Sequence, residues 1–262
     1  MKIRILGCGT SSGVPMVGCA CNVCRSNNIR NKRTRVSAIV ESADAKILLD
    51  TPPDLRMQLL SAGISNIDAV LYTHAHADHV HGIDDLRSIN FMKKSPIEAF
   101  GSPDTLRLIK QRFDYAFIKK GEILNNYWTR PALIAKELMS DKEDHICING
   151  LKVEHFKQTH GNQTTTGYIF DSKIAYSTDF NHIEVNILES LKGINLWIID
   201  CLGYDNHPTH SNLPNTLSYI KYVEPKLAVL THMSHQLDYD KLLEETPENV
   251  VPGYDGMLIN ID

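Results

Sequence analysis

Residues 74–79 read His-Ala-His-Ala-Asp-His. Imidazole and carboxylate together are the donor types that hold Zn, Mn or Fe. The cluster follows the apolar run Ala69 to Thr73, so it is expected in a loop at the carboxyl end of a buried strand. Donors packed this tightly exceed what one ion with an open position requires, which points to two ions. The competing reading, polar residues that merely cap a strand, is disfavoured. Imidazoles crowded into one crevice need partners for their polar nitrogens. Further donors stand after other apolar runs: His160 after the strand Leu151 to Phe156, Asp179 after the strand Lys173 to Ser177, and His232 after the strand Leu227 to Leu230. Singly each reads as a loop residue; beside the first cluster they read as the remaining ligands.

A second concentration of donors is Cys19-Ala20-Cys21-Asn22-Val23-Cys24. A 262-residue chain can build a full core and needs no disulfide staples. The spacing therefore reads as a metal site, with a redox or incidental group as the alternative. The other cysteines, Cys8, Cys147 and Cys201, are expected to be small buried residues.

The elements that must position these donors follow from the hydrophobic pattern. Short apolar runs at Ile3 to Leu6, Val36 to Val40, Lys46 to Leu49, Thr166 to Phe170 and Leu196 to Ile199 add to the strands above. Helices are expected over Asp54 to Ala62, Asp84 to Met92, Asp104 to Phe113 and Pro214 to Val223. Strands alternate with helices, but some strands follow one another directly. That mixture means an α/β fold with one or two mixed sheets. The stretch from about 115 to 145 reads as an irregular insertion, either covering a site or forming a surface excursion. The run Arg25 to Arg35 reads as a solvated basic loop.

Composition excludes several classes. The net charge is −4, so no global polyanion-binding surface is suggested. The apolar runs are far shorter than the roughly 20 residues of a membrane-spanning helix. No secretory hydrophobic segment is read either, so no membrane partner and a cytoplasmic location are expected.

With its motifs assembled, the sequence resembles the metallo-β-lactamase-fold hydrolases. His74 to His79 match the HxHxDH motif, His160 the following isolated histidine, Asp179 the bridging aspartate and His232 the last histidine. The resemblance implies a single αββα sandwich over 1–262, two mixed β-sheets flanked by helices with two divalent ions (Zn or Mn) in the cleft. It implies that His74, His76 and His160 hold one ion, that Asp78, His79 and His232 hold the other, and that Asp179 bridges them. Asp50, in Leu48-Leu49-Asp50-Thr51, looks like the family's first acid, a partner of the ligands. Gly82 to Arg87, Thr231 to Gln236, Cys19 to Cys24 and Tyr254-Asp255-Gly256-Met257 narrow the likeness to a phosphodiesterase subgroup that includes the phosphoribosyl 1,2-cyclic phosphodiesterases. That subgroup implies a structural zinc held by Cys19, Cys21, Cys24 and His235 within a Cys-rich loop at about 8–34. It also implies a supporting role for Asp255. His210 is the expected phosphate contact or general acid, with His207 as the alternative, and Asp78 is counted with His210 in catalysis.

The function implied is hydrolysis of a small phosphodiester, such as a phosphoribosyl cyclic phosphate or a cyclic nucleotide. Two alternatives are kept. One is a ribonuclease Z-like nuclease trimming tRNA 3′ ends, supported by the basic run and the opening Gly9-Thr10-Ser11-Ser12-Gly13, but opposed by the short stretch between His160 and Asp179. The other is an inactive metal-binding relative. A role in cofactor biosynthesis is a further reading, since the pyrroloquinoline quinone pathway has a relative with a similar Cys cluster. Nucleic acid is thus a less favoured partner, and a homodimer is compatible with the resemblance.

Overall fold

The computed structural model describes residues 1–119, 121–122, 128–139 and 145–261. Its strands are β1 (Lys2–Gly7), β2 (Ser37–Glu41), β3 (Lys46–Leu49), β4 (Ala69–Leu71), β5 (Ile97–Gly101), β6 (Leu133–Glu137), β7 (His145–Ile148), β8 (Leu151–His160), β9 (Gln163–Phe170), β10 (Ile174–Ser177), β11 (Leu196–Asp200), β12 (Leu227–Thr231), β13 (Val250–Pro252) and β14 (Leu258–Asn260). Among the described residues they form two seven-stranded sheets, ordered β14-β1-β2-β3-β4-β5-β6 and β13-β12-β11-β10-β9-β8-β7. Each sheet mixes antiparallel meander strands with parallel strands, such as β3–β4–β5–β6 in one and β10–β11–β12–β13 in the other.

Strand alternation builds the layers. Ala38, Val40, Ile47, Leu49, Ala69 and Leu71 join the core shared with the second sheet. Their neighbours Ile39, Leu48 and Val70 point the other way, onto Leu55, Leu59, Leu86, Ile89, Leu106 and Ile109 of the covering helices. Strands buried on both faces need no polar alternation, and β2 and β11 are buried at every position. The second sheet is covered by helices carrying Leu188, Leu213, Ile220 and Leu242. The result is helices, sheet, sheet, helices, the expected αββα order. Among the described residues, no helix is long and apolar enough to cross a membrane.

Three expectations change on contact with the structure. The 115–145 stretch is not wholly irregular: it contributes β6 at a sheet edge, while residues 120, 123–127 and 140–144 of it lie outside the described residues. Cys147 is exposed on β7, a short strand at the edge of the second sheet, whereas Cys8 and Cys201 are buried. Arg33, expected in a solvated loop, is 2% exposed. Its guanidinium donates to the carbonyls of Ser234 at 2.9 Å and Leu237 at 2.7 Å, which offsets the cost of burying the charge.

Candidate metal centre

The donors converge where strands of both sheets end. Asp50 follows β3, His74 to His79 follow β4, His160 ends β8, Asp179 follows β10, Asp200 ends β11 and His232 follows β12. Asp50, Asp179 and His232 adopt left-handed backbone conformations with φ of 60°, 56° and 56°. Non-glycine residues accept that strain, of order 1–3 kcal/mol each, only where the surroundings over-determine it. Here it turns each chain sharply out of its strand at the mouth of the crevice.

His74, His76 and His160 form one set of ring nitrogens within 4.8 Å of one another. Asp78, His79, Asp179 and His232 form a second set on the same criterion. The Asp179 carboxylate lies between them. One of its oxygens is 3.9 Å from His74 Nε2 and 3.4 Å from His232 Nε2, and the other is 3.2 Å from His79 Nε2. All seven residues named from sequence therefore come together.

Partners behind the rings fix which nitrogen faces the crevice. The buried Asp50 carboxylate accepts from His79 Nδ1 at 2.7 Å and from the Thr73 amide and hydroxyl at 2.8 and 2.7 Å. His160 Nδ1 donates to the Thr209 carbonyl at 2.7 Å. In each case the other nitrogen is left as a lone-pair donor, the usual arrangement behind metal-binding histidines. The Nε2 atoms of His79 and His232 are buried without a hydrogen-bond partner. Orphaned buried nitrogens aimed at carboxylates call for a cation between them.

The electrostatics agree. Burial works against a charge on His232, but Asp179 and then Asp78 and Asp200 outweigh it and lift the imidazole to about 9. Burial likewise works against the Asp179 carboxylate, yet His232, His79 and His74 hold it well below the usual range. His74 and His160 are pushed down by burial first, aided by neighbouring imidazoles, so they stay neutral and able to coordinate.

His210 Nε2 lies 4.0 Å from Asp179, and its ring stacks on His232 at 4.7 Å and 11°. His207 is exposed and bonds to Thr209 Oγ1 at 3.2 Å, so of the two alternatives His210 is the one that faces the cluster. Sequence reasoning missed Asp200. It is fully buried, accepts from His210 Nδ1 at 3.1 Å and lies 3.5 Å from His232 Nδ1. The signal was available: Leu196-Trp197-Ile198-Ile199-Asp200 repeats the pattern of an apolar strand ending in an aspartate that Leu48-Leu49-Asp50 shows. Asp255 makes its bonds to Cys8 and Thr34. It accepts from the Cys8 amide at 3.1 Å and from the Thr34 amide and hydroxyl at 2.7 and 2.6 Å, pinning the end of β1. The crevice opens into a cavity of about 390 Å³, rimmed by Ser11, Asn162, Gln163 and Thr209.

The second donor group is complete as well. Cys19, Cys21, Cys24 and His235 bring their sulfurs and a ring nitrogen within 4.8 Å of one another. All of the cysteines are free. The Cys24 amide, with His235, brings the Cys21 thiol down to about 6, whereas burial pushes Cys24 up to about 11. Three thiols and one imidazole make a closed tetrahedral set suited to zinc.

Residues 45–233 match the family model described as the beta-lactamase superfamily domain. A Porphyromonas gingivalis protein named octanoyltransferase is 37% identical over 265 residues, covering 100% of this chain and 52% of that protein. A ribonuclease Z from Bradyrhizobium diazoefficiens is 28% identical over 170 residues, covering 63% of this chain and 48% of its own length. The chain thus spans about half the length of these curated relatives. A crystal structure described as a new diphosphatase from the PhnP family superposes with a TM-score of 0.90 at 32% identity, covering 100% of this chain and 98% of that one.

Proposed function

The chain belongs to the β-lactamase superfamily, and we propose that it is a phosphodiesterase working with two divalent metal ions in the cleft. The observation that carries the reading is the Asp179 carboxylate set between two groups of donors, with orphaned His79 and His232 nitrogens facing it. His74, His76 and His160 would hold one ion and Asp78, His79 and His232 the other, with Asp179 shared. Such a pair supplies Lewis acidity toward a water and toward the phosphoryl oxygens. The chain's own residues do the rest. His210 presents Nε2 to the cleft while Asp200 holds its Nδ1 proton, so the ring is oriented to protonate the departing oxygen. Asp78 counts with His210 in the chemistry as a ligand on the cleft wall.

The substrate proposed is a small phosphodiester, such as a phosphoribosyl cyclic phosphate. The cavity is modest, and its Ser11, Asn162, Gln163 and Thr209 rim offers neutral hydrogen-bonding groups that suit a hydroxylated substrate. A structural zinc at Cys19, Cys21, Cys24 and His235 is part of the same reading. The likeness to ribonuclease Z supports tRNA 3′ processing as a second reading, but β8 and β9 meet in a tight hairpin with no arm to hold tRNA. The octanoyltransferase name belongs to a relative of about twice this length, half of which the chain leaves unmatched.

The test is a panel of bis(p-nitrophenyl) phosphate, a ribose cyclic phosphate, a cyclic nucleotide, a diphosphate ester and precursor tRNA, each assayed with Zn and with Mn. Turnover of the cyclic ribose ester above the others is expected. Preference for precursor tRNA would replace this reading with the second, and no turnover of any member under either metal would remove it.

A further inference from the structure

β8 ends at His160 and β9 begins at Gln163, so Gly161-Asn162 is a two-residue hairpin loop. Gly161 has φ +61°. That conformation alone does not demand glycine, because asparagine also tolerates it. Space restricts the position further. A Cβ on Gly161 would stand 2.7 Å from Thr209 Cγ2, closer than real Cβ atoms come. The hairpin tip rests on the Thr209 side chain, which must shift to admit a methyl group.

Bonds on either side make this contact a lever. The Gly161 amide donates to Asn181 Oδ1 at 2.8 Å, which fixes the tip to the segment following Asp179. His160 Nδ1 donates to the Thr209 carbonyl at 2.7 Å. The base of the segment is pinned where the Leu202 amide meets the Ser211 carbonyl at 2.9 Å and the Leu213 amide meets the Gly203 carbonyl at 2.8 Å. Between pinned base and resting tip lies His210, one residue past Thr209.

We infer that Gly161 is a positioning residue for His210. By setting the height of Thr209 over the hairpin, it also ties the ring of His160 to the placement of the proposed acid. A methyl at 161 presses on the Thr209 side chain, whose hydroxyl is tied to His207 Nδ1 at 3.2 Å and so resists turning aside; the expected result is a lifted Thr209, a stretched His160–Thr209 bond and a His210 carried off Asp179. Only the kinetic arm of the test rests on the phosphodiesterase reading.

Gly161→Ala is made in two backgrounds, native and Thr209→Ser, the second of which removes Cγ2 and keeps the hydroxyl. Left-handed strain is common to both and cancels from the comparison. With a ribose cyclic phosphate, whose alkoxide leaves poorly without a proton, Gly161→Ala is expected to lower kcat about 10²-fold in the native background with KM changed less than about threefold. In the Thr209→Ser background the same substitution should cost less than about fivefold. Crystal structures supply an arm independent of activity. Gly161→Ala should break the His160–Thr209 bond and displace His210, and the double variant should restore both. A wild type inactive on phosphodiesters would end the proposed function and leave this arm standing. Should Gly161→Ala not fold, Asn181→Ala releases the tip without adding an atom, and a displaced His210 with lowered kcat is expected. An unmoved His210 in the variant examined, or equal loss in both backgrounds, overturns the inference.

Discussion

The two donor groups of this protein are built in opposite ways. In the cleft, the donors stand at strand ends of both sheets and are mostly buried, and partners that belong to the protein orient the rings. Asp50 holds His79, the Thr209 carbonyl holds His160, and Asp200 holds His210. In the Cys-rich loop, three of the four donors come from one short segment around the helix Asn22–Arg25, and His235 comes from a loop past β12. Contacts behind the sulfurs are few: the Cys24 amide on Cys21 Sγ and the Met16 amide on Cys24 Sγ, both at 3.4 Å, and Cys21 Sγ to the His235 carbonyl at 3.7 Å. In the cleft the scaffold fixes the donor geometry without a cation. In the Cys-rich loop a cation, if bound, would supply much of the geometry itself.

That contrast orders the expected effects. Asp179→Ala removes the carboxylate between the two cleft sets and should be the most damaging change. Losing several kcal/mol of transition-state charge stabilisation corresponds to about 10³-fold or more in kcat. Metal analysis should meanwhile find the Cys-site zinc unchanged, and near-native turnover with full metal content would mean that Asp179 does not bridge. His210→Ala should keep both cleft ions and lose about 10²–10⁴ in rate on an alkoxide-leaving substrate, less on a p-nitrophenyl ester that needs no proton. An equal loss on both substrates would assign His210 to charge stabilisation instead. Asp200→Asn keeps the shape but weakens the hold on His210 Nδ1 and the field at His232. A fall of about 10–100-fold is expected, as for other groups behind metal-site histidines, read as kcat with metal affinity measured in parallel.

The sequence made the cleft legible for a physical reason. A donor directly after an apolar strand has few places to go except the end of a sheet, so His74, His160, Asp179 and His232 could be placed from pattern alone. Asp200 stands in the same place after Leu196-Trp197-Ile198-Ile199, but its work is on the far nitrogens of His210 and His232, which no motif in the sequence marks. The edge strand β6 escaped because it is largely solvent-facing: Ile134 is 39% exposed, so no buried alternation marks it. Arg33 could not be foreseen as buried, since the carbonyls that satisfy it lie about 200 residues further along the chain. The supporting role expected of Asp255 runs through backbone: it bonds the Cys8 and Thr34 amides, and the Cys8 carbonyl takes the Met233 amide next to His232 at 2.8 Å.

The smallest effect should come from the Cys-rich loop, and it tests the comparison most directly. Cys21→Ser removes one thiolate from a closed set, so the zinc there should be lost or bound far more weakly. Zinc at about 100 times its Kd contributes roughly 2.7 kcal/mol of stability, and at about 2–4 °C per kcal/mol its loss should lower Tm by roughly 5–10 °C. Activity should fall less than tenfold, because the loop is held by more than zinc. Arg33 still donates to the Ser234 and Leu237 carbonyls, and Asn31 Nδ2 still reaches Asp238 at 2.7 Å. Those bonds hold the segment that follows His232, and the cleft's own orienting contacts are untouched. Protein grown with added Mn separates the two groups, since thiolates select zinc while a carboxylate and imidazole cleft accepts Mn. Wild type should carry zinc and Mn together, and Cys21→Ser should carry Mn alone. If the variant loses cleft metal and turnover along with its zinc, the loop is a working part of the active site and the contrast fails.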